Sequence, residues 1–257
     1  MDFSTFLLQL YNLDIFYLFS VYLFVALVVP SFWTSLTKPL DMKLVLCCYN
    51  ILCSAMNLVA AVGMAAGMLT AHSILSNTVT PALIPYFKLY ANLKILELLD
   101  TVFMILRHRT RQISFLHVFH HSTMLILIHY GLQYTPWTAL APALMLNSIV
   151  HIFMHLYYAY TAYFSSSSKP SWKRRITELQ IAQFLIDLIY CIVGISQGKL
   201  CIWSFFYGLS MLILFTNFYL RAYILRPTTS PNGSKARMSS VNHDSAAGST
   251  DESKKNE

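Results

Sequence analysis

The chain carries its chemistry in histidines. In "HVFHH", His117, His120 and His121 span an arc of about 100° at helical spacing, so they face one way together. In "NSIVHIFMHLYY", Asn147, His151, Met154, His155 and Tyr158 also lie within about 100° of one another. Imidazole titrates near neutral pH, so grouped histidines can act as nucleophile, general acid or base, or as metal ligands. A third run, "KILELLDT", places Lys94, Glu97 and Thr101 in a stripe of about 60°, with Asp100 about 60° beyond Glu97. A fourth, "TELQIAQFLID", gathers Gln180, Gln183 and Asp187 within about 60°. His129 lies off the histidine arc and reads as a core residue.

The elements that must position these groups belong in lipid. Of 257 residues, 56% are hydrophobic and 11% charged, against about a quarter charged in soluble domains. A spanning helix needs roughly 20 mostly apolar residues. Seven segments qualify: Ile15 to Thr34, Lys43 to Met64, Phe87 to Leu106, Ile113 to Leu132, Trp137 to Phe164, Ile176 to Gln197 and Cys201 to Ile224. The fifth is long enough to tilt or bend. A signal peptide cannot account for apolar segments recurring to Ile224, so the first segment is expected to be retained. The fold class is therefore all-α integral membrane, with seven transmembrane helices.

Basic residues alternate by side. Lys38 and Lys43, then Arg107, Arg109 and Arg111, then Lys169, Lys173, Arg174 and Arg175 occupy the first, third and fifth loops, whereas the even loops hold only Lys199. By the positive-inside rule the odd loops are cytosolic, the N-terminus luminal and the C-terminus cytosolic. The net charge of +7 then reflects topology and anionic partners rather than nucleic acid. The spanning domain covers 1–225. The remainder, 226–257, is rich in Ser, Thr, Asn and charge, has no aromatic residue and is expected to be disordered. The sequon at Asn232 stays unmodified on a cytosolic tail. Lys254 and Lys255 in the closing "KKNE" resemble a dilysine retrieval address of endoplasmic reticulum membrane proteins; two solvated lysines are the other reading.

Ionisable residues inside spans face the bundle interior and mark function. Plainer readings stand beside that one: a helix-internal Lys94–Glu97 pair with Asp100 reaching Arg107, and glutamines that only bond neighbouring helices. Segments three to six carry the polar stripes and segments one and two almost none, which puts the site between helices three to six. It lies in their cytosolic halves, because the Arg107 to Arg111 loop joins segments three and four. The five cysteines (Cys47, Cys48, Cys53, Cys191, Cys201) show no ligand spacing and read as core residues.

Two chemistries fit the histidines. A di-iron site of the membrane desaturase kind uses about eight histidines to fill two coordination spheres; His117, His120, His121, His151 and His155 fall short. In the other, imidazole acts directly. It takes an acyl group from a thioester and passes it to a carbanion, with Asn147, Gln180 or a second histidine steadying the oxyanion. A non-enzymatic seven-helix transporter or receptor is a further class, but no Gly/Pro-broken helix pair marks a midplane transport site.

Four motifs in order, KxxExxDT, HxxHH, NxxxHxxMYxYY (with His155 for the first Tyr) and TxxQxxQF, make the chain resemble the ELO family of very-long-chain fatty acid elongases. The resemblance implies six of seven helices enclosing an acyl-chain tunnel in the endoplasmic reticulum membrane. It further implies condensation of a long-chain acyl-CoA with malonyl-CoA, releasing CO2 and CoA and giving 3-oxoacyl-CoA. Carried over residue by residue, His120 is the acyl-accepting nucleophile, His151 stands opposite, and His117 and His121 complete the box. Lys94, Glu97, Asp100 and Thr101 would shape the cytosolic entrance and malonyl pocket, with Asn147, His155, Tyr158, Gln180 and Gln183 around the substrate. Lys169, Lys173, Arg174 and Arg175 are candidates for CoA phosphates. No metal or other cofactor is implied. Expected partners are acyl-CoA, malonyl-CoA and the bilayer, with other elongation-cycle enzymes and a second copy of the chain as further candidates. The "RQISFLHVFHH" run leans toward polyunsaturated or very long acyl substrates.

Overall fold

The computed structural model describes Gln9 and residues 13–164 and 172–225, and every regular element among them is helical. Lys169 and the tail 226–257, with Asn232, Lys254 and Lys255, lie outside the described residues. The chain divides into two units, Met1–Tyr219 and Leu220–Glu257. The described part of the second is a π-helical turn, Leu220–Ile224, whose widened ring is closed by the Leu225 amide on the Leu220 carbonyl at 2.8 Å.

The described helices of the first unit are α1 (Phe16–Leu27), α2 (Val29–Leu36), α3 (Lys43–Leu69), α4 (Ile84–Leu96), α5 (Leu99–Leu106), α6 (Phe115–Tyr134), α7 (Ala141–Tyr163), α8 (Trp172–Ser196) and α9 (Ile202–Tyr219). Two expected continuous segments are in fact broken. The first bends by 46° between α1 and α2. Its cause is Pro30 in the first turn of α2, which lacks an N–H and clashes with the preceding turn. The third breaks at Glu97 and Leu98. There the Leu98, Asp100 and Thr101 amides bond three residues back, to Ile95, Glu97 and Leu98, at 3.1, 3.1 and 3.2 Å. Such tightened turns are poorer helix and often mark functional positions.

Four helices are long and apolar enough to cross a membrane alone: Lys43–Leu69, Thr138–Tyr163, Trp172–Ser196 and Ile202–Ile224. The bent α1–α2 pair makes a fifth if it is one span. This is a multi-pass helical membrane protein. The two expected segments that fall short are α4–α5 and α6. The first is broken at Glu97 into helices of 13 and 8 residues and carries Lys94, Glu97 and Asp100, and the second is made less apolar by His117, His120 and His121.

Six helices pack in a closed order: α3 against α4, α4 against α6, α6 against α9, α9 against α8, α8 against α7, and α7 back against α3. Helix α1 lies on α6, and α2 lies on α5. The α3–α7 pair is the most extensive. Ser54 and, two turns on along the same face, Ala61 are small and buried, which lets the two backbones approach closely. The Ser54 hydroxyl donates to the Ile152 carbonyl across that seam at 3.3 Å. The opposite face of α3 presents Val45, Leu52, Val59 and Val62 outward, as lipid requires.

Gly67 shows how tightly α3 is fitted. A Cβ there would meet Leu83 Cδ2 at 2.5 Å, and Leu83 is fully buried. At Gly208 the nearest atom would be an ordinary 3.6 Å away. Gly67→Ala should therefore cost about 1–3 kcal/mol through overpacking, while Gly208→Ala should be neutral or gain up to about 1 kcal/mol of helix propensity. Unfolding of the two variants in detergent, side by side, checks this; equal effects would refute the packing account.

Candidate active site

The tightened turn after α4 aims Glu97 into the six-helix ring. Glu97 is 1% exposed and Lys94, one turn earlier, 3%. Lys94 Nζ lies 2.9 Å from Glu97 Oε2 and 3.2 Å from Oε1. Two charges in so dry a place are tolerable only when paired and hydrogen-bonded. The helix-internal ion pair read from sequence is thus real, but it is not isolated, because His151 Nδ1 comes within 3.1 Å of Glu97 Oε1 and 3.3 Å of Lys94 Nζ. A carboxylate only accepts, so the shorter contact assigns the proton to Nδ1, which leaves a lone pair on His151 Nε2 and makes the 3.3 Å approach of the Lys94 ammonium, itself only a donor, a contact rather than a hydrogen bond. That carboxylate–imidazole arrangement is the one that orients a general base in hydrolytic triads.

The histidines of α6 approach from the other side. Ser114 caps the helix, its hydroxyl accepting from the His117 amide at 3.3 Å, which fixes the register of the histidine run within the first two turns. His120 faces His151, with ring centroids 6.3 Å apart and planes within 25° of parallel. No hydrogen bond to the His120 ring is found among the described residues, so its nitrogens are not tied to a structural partner. His117 differs: its Nε2 lies 2.8 Å from Thr101 Oγ1, which also bonds the Tyr22 hydroxyl at 3.3 Å. His121 packs against both, with centroids 4.4 Å from His117 and 5.3 Å from His120.

A polar chain leaves the charged cluster through α7 and α8. Lys94 Nζ stands 4.7 Å over the Tyr90 ring, a cation–π distance. The Tyr90 hydroxyl donates to Asn147 Oδ1 at 2.6 Å, Asn147 Nδ2 to Gln183 Oε1 at 3.5 Å, and Gln183 Nε2 to Asp187 Oδ2 at 3.1 Å. Gln180 instead reaches Met154 Sδ at 3.7 Å.

Several sequence-derived expectations need correction. Helices one and two do contribute polar groups: Tyr22 from α1 as above, and Asn50 from α3, whose Oδ1 lies 2.9 Å from His155 Nδ1. An asparagine inside an apolar span is itself a signal; the tyrosine hydroxyl hides in an aromatic side chain. Asp100 is partly exposed and forms no ion pair with Arg107. Tyr158 is 41% exposed, and its ring stands perpendicular to that of His155, with centroids 6.3 Å apart; it sits near the end of α7, where the packed side turns to Tyr157 against Trp172 at 5.4 Å. Arg174 and Arg175 bond Glu178 at 2.9 and 2.8 Å, and Arg174 also donates to the Tyr219 hydroxyl at 2.7 Å, which pins α8 to α9. Lys173 is exposed beside them.

Glu97, His151 and His155 could together offer a metal three ligand atoms, all within 4.8 Å of one another. Lys94 already supplies the positive charge on Glu97, and Nδ1 of His151 is committed to the carboxylate. An ion bound to Glu97 would compete with Lys94 for the carboxylate, and the group among the described residues offers three ligands, fewer than two iron coordination spheres take.

The chain is 35% identical over 151 residues to very long chain fatty acid elongase 4 of Homo sapiens, covering 56% of this chain and 48% of that protein. It is 34% identical over 140 residues to very long chain fatty acid elongase 2 of Mus musculus, covering 52% and 48%. With very long chain fatty acid elongase 5 of Mus musculus it shares 36% over 137 residues, covering 51% and 45%. The chain thus spans about half the length of the curated relatives it matches. The family profile described as ELO, the GNS1/SUR4 family, matches residues 8–231, and the chain belongs to that family.

Proposed function

We propose that this chain is a very-long-chain 3-oxoacyl-CoA synthase, condensing a long-chain acyl-CoA with malonyl-CoA in the first step of fatty acid elongation. The observation that carries this reading is the facing pair His120 and His151, with His151 oriented by the buried Glu97 carboxylate. His120 takes the acyl group from the thioester as CoA leaves. Malonyl-CoA then loses CO2, and the resulting carbanion attacks the acyl carbon and frees the imidazole. Decarboxylation generates the carbanion, so no strong base need remove a carbon-bound proton. No cofactor is needed. None of the cysteines serves as nucleophile: Cys53, the nearest by packing, is fully buried among Tyr49 and Leu93.

The finer architecture belongs to the same proposal. Seven spans place the N-terminus in the lumen and the C-terminus in the cytosol, in the endoplasmic reticulum membrane. The closed packing order of six helices supports an interior acyl path. Asn147 and Gln183 line the site through their chain to Asp187. Lys173, with the net single charge left by Arg174, Arg175 and Glu178, draws CoA phosphates electrostatically; Lys169 is proposed to join them. Polyunsaturated or very long acyl-CoA remains the favoured substrate class.

Microsomes expressing the chain, given labelled malonyl-CoA and an acyl-CoA panel, should yield a product two carbons longer. His120→Ala and His151→Ala should each lower kcat by about 10²–10⁴-fold, the scale of general acid–base and nucleophilic catalysis. No product across the panel, with His120→Ala indistinguishable from wild type, sinks the proposal. Arg175→Ala should instead raise KM for acyl-CoA severalfold at low salt and leave kcat unchanged, the difference closing as ionic strength shortens the Debye length to about 8 Å. A kcat effect at saturating substrate would contradict the electrostatic role.

A further inference from the structure

Asn50 is buried in α3, 3% exposed, outside the four motifs. Its Nδ2 donates to the Leu46 carbonyl at 2.7 Å, one turn back in its own helix. That bond fixes which way round the amide sits, so the oxygen is the atom turned to His155 Nδ1 at 2.9 Å. An amide oxygen only accepts, and His155 Nδ1 must therefore carry a hydrogen. The other ring nitrogen, Nε2, is buried without a hydrogen-bond partner. It points toward Glu97 Oε1 at 3.6 Å, too long for a hydrogen bond.

We infer that Asn50 is a positioning residue for the condensation site: it holds His155 in the Nδ1–H form and keeps Nε2 beside Glu97. The arrangement gives the Glu97 carboxylate Lys94 from its own segment and two histidines one turn apart on α7. Lys94 and His151 bond it directly, and His155 Nε2 flanks Oε1. A polar partner behind a functional imidazole, setting its tautomer and ring angle, is a recurrent device. Here the partner comes from the helix whose small residues let α3 and α7 approach most closely. The family motif has Tyr where this chain has His155, so the device is a property of this chain's own residues. Its functional role rests on the condensation reading, whereas its geometry does not.

The test combines two readouts on the full chain. Asn50→Leu removes the acceptor and should lower kcat about tenfold, the low end for losing a partner behind a functional histidine, with KM changed less than about twofold. Asn50→Asp keeps an acceptor and should restore kcat to within about threefold of wild type. In a His155→Tyr background, Asn50→Leu should have no further effect on kcat, because the group it positions is gone. Nitrogen-15 spectra of histidine-labelled protein should show an Nδ1–H imidazole that disappears in His155→Tyr. Equal losses in Asn50→Leu and Asn50→Asp, or an undiminished loss in the His155→Tyr background, overturn the assignment, as does an Nε2–H tautomer at His155. If Asn50→Leu does not fold, the wild-type minus His155→Tyr spectrum still decides. If wild type elongates no acyl-CoA, the condensation reading fails while the spectrum continues to test the Asn50–His155 pairing.

Discussion

The ion pair between Lys94 and Glu97 is the constraint around which this protein is built. Taking two charges out of water costs several kcal/mol per ion even after relaxation, and their attraction offsets that only if the remaining lone pairs and protons are satisfied. Much of the interior follows from this demand. His151 completes one carboxylate oxygen, the Tyr90 ring lies under the ammonium, and His155 flanks the carboxylate. These residues come from α4 and α7, while Asn50 on α3 holds His155. The pair therefore links helices.

Lipid makes the demand stricter. Helices in a bilayer gain little from hydrophobic burial against each other, because acyl chains are as apolar as leucine. What holds this bundle is close packing, as at Gly67 against Leu83, and cross-helix hydrogen bonds, as from Ser54 to Ile152. The polar core is thus part of what specifies the arrangement. At the proposed cytosolic end, Arg174 and Tyr219 tie α8 to α9 in the same manner with exposed groups.

Helical periodicity was enough to gather Lys94, Glu97, His151 and His155, since their angular positions are what burial follows, and the structure brings all four together. It could not reveal the break at Glu97, because a turn with three-residue spacing keeps the same side chains on nearly the same face. The bend in segment one falls at Pro30, a residue that hydropathy and length alone do not weigh. Tyr158 shows the limit of angle alone: position along the axis decides where the covering neighbours end. Asn50 was visible in an apolar span, with Asn57 two turns on, but only the fold supplies its partner at a sequence distance of 105 residues.

In mechanical terms the third segment is two struts with a joint at Glu97. One strut runs through Tyr90 to Asn147. The other runs to His108, a residue in the left-handed region at φ 55°, whose Nε2 lies 3.1 Å from Thr37 Oγ1 and so ties the joint's far arm to the end of α2. The joint is where the charge sits: Lys94 from the first strut and His151 from α7 both bond the carboxylate there, so a substitution at Glu97 removes the tie between the bent segment and α7 together with the charge.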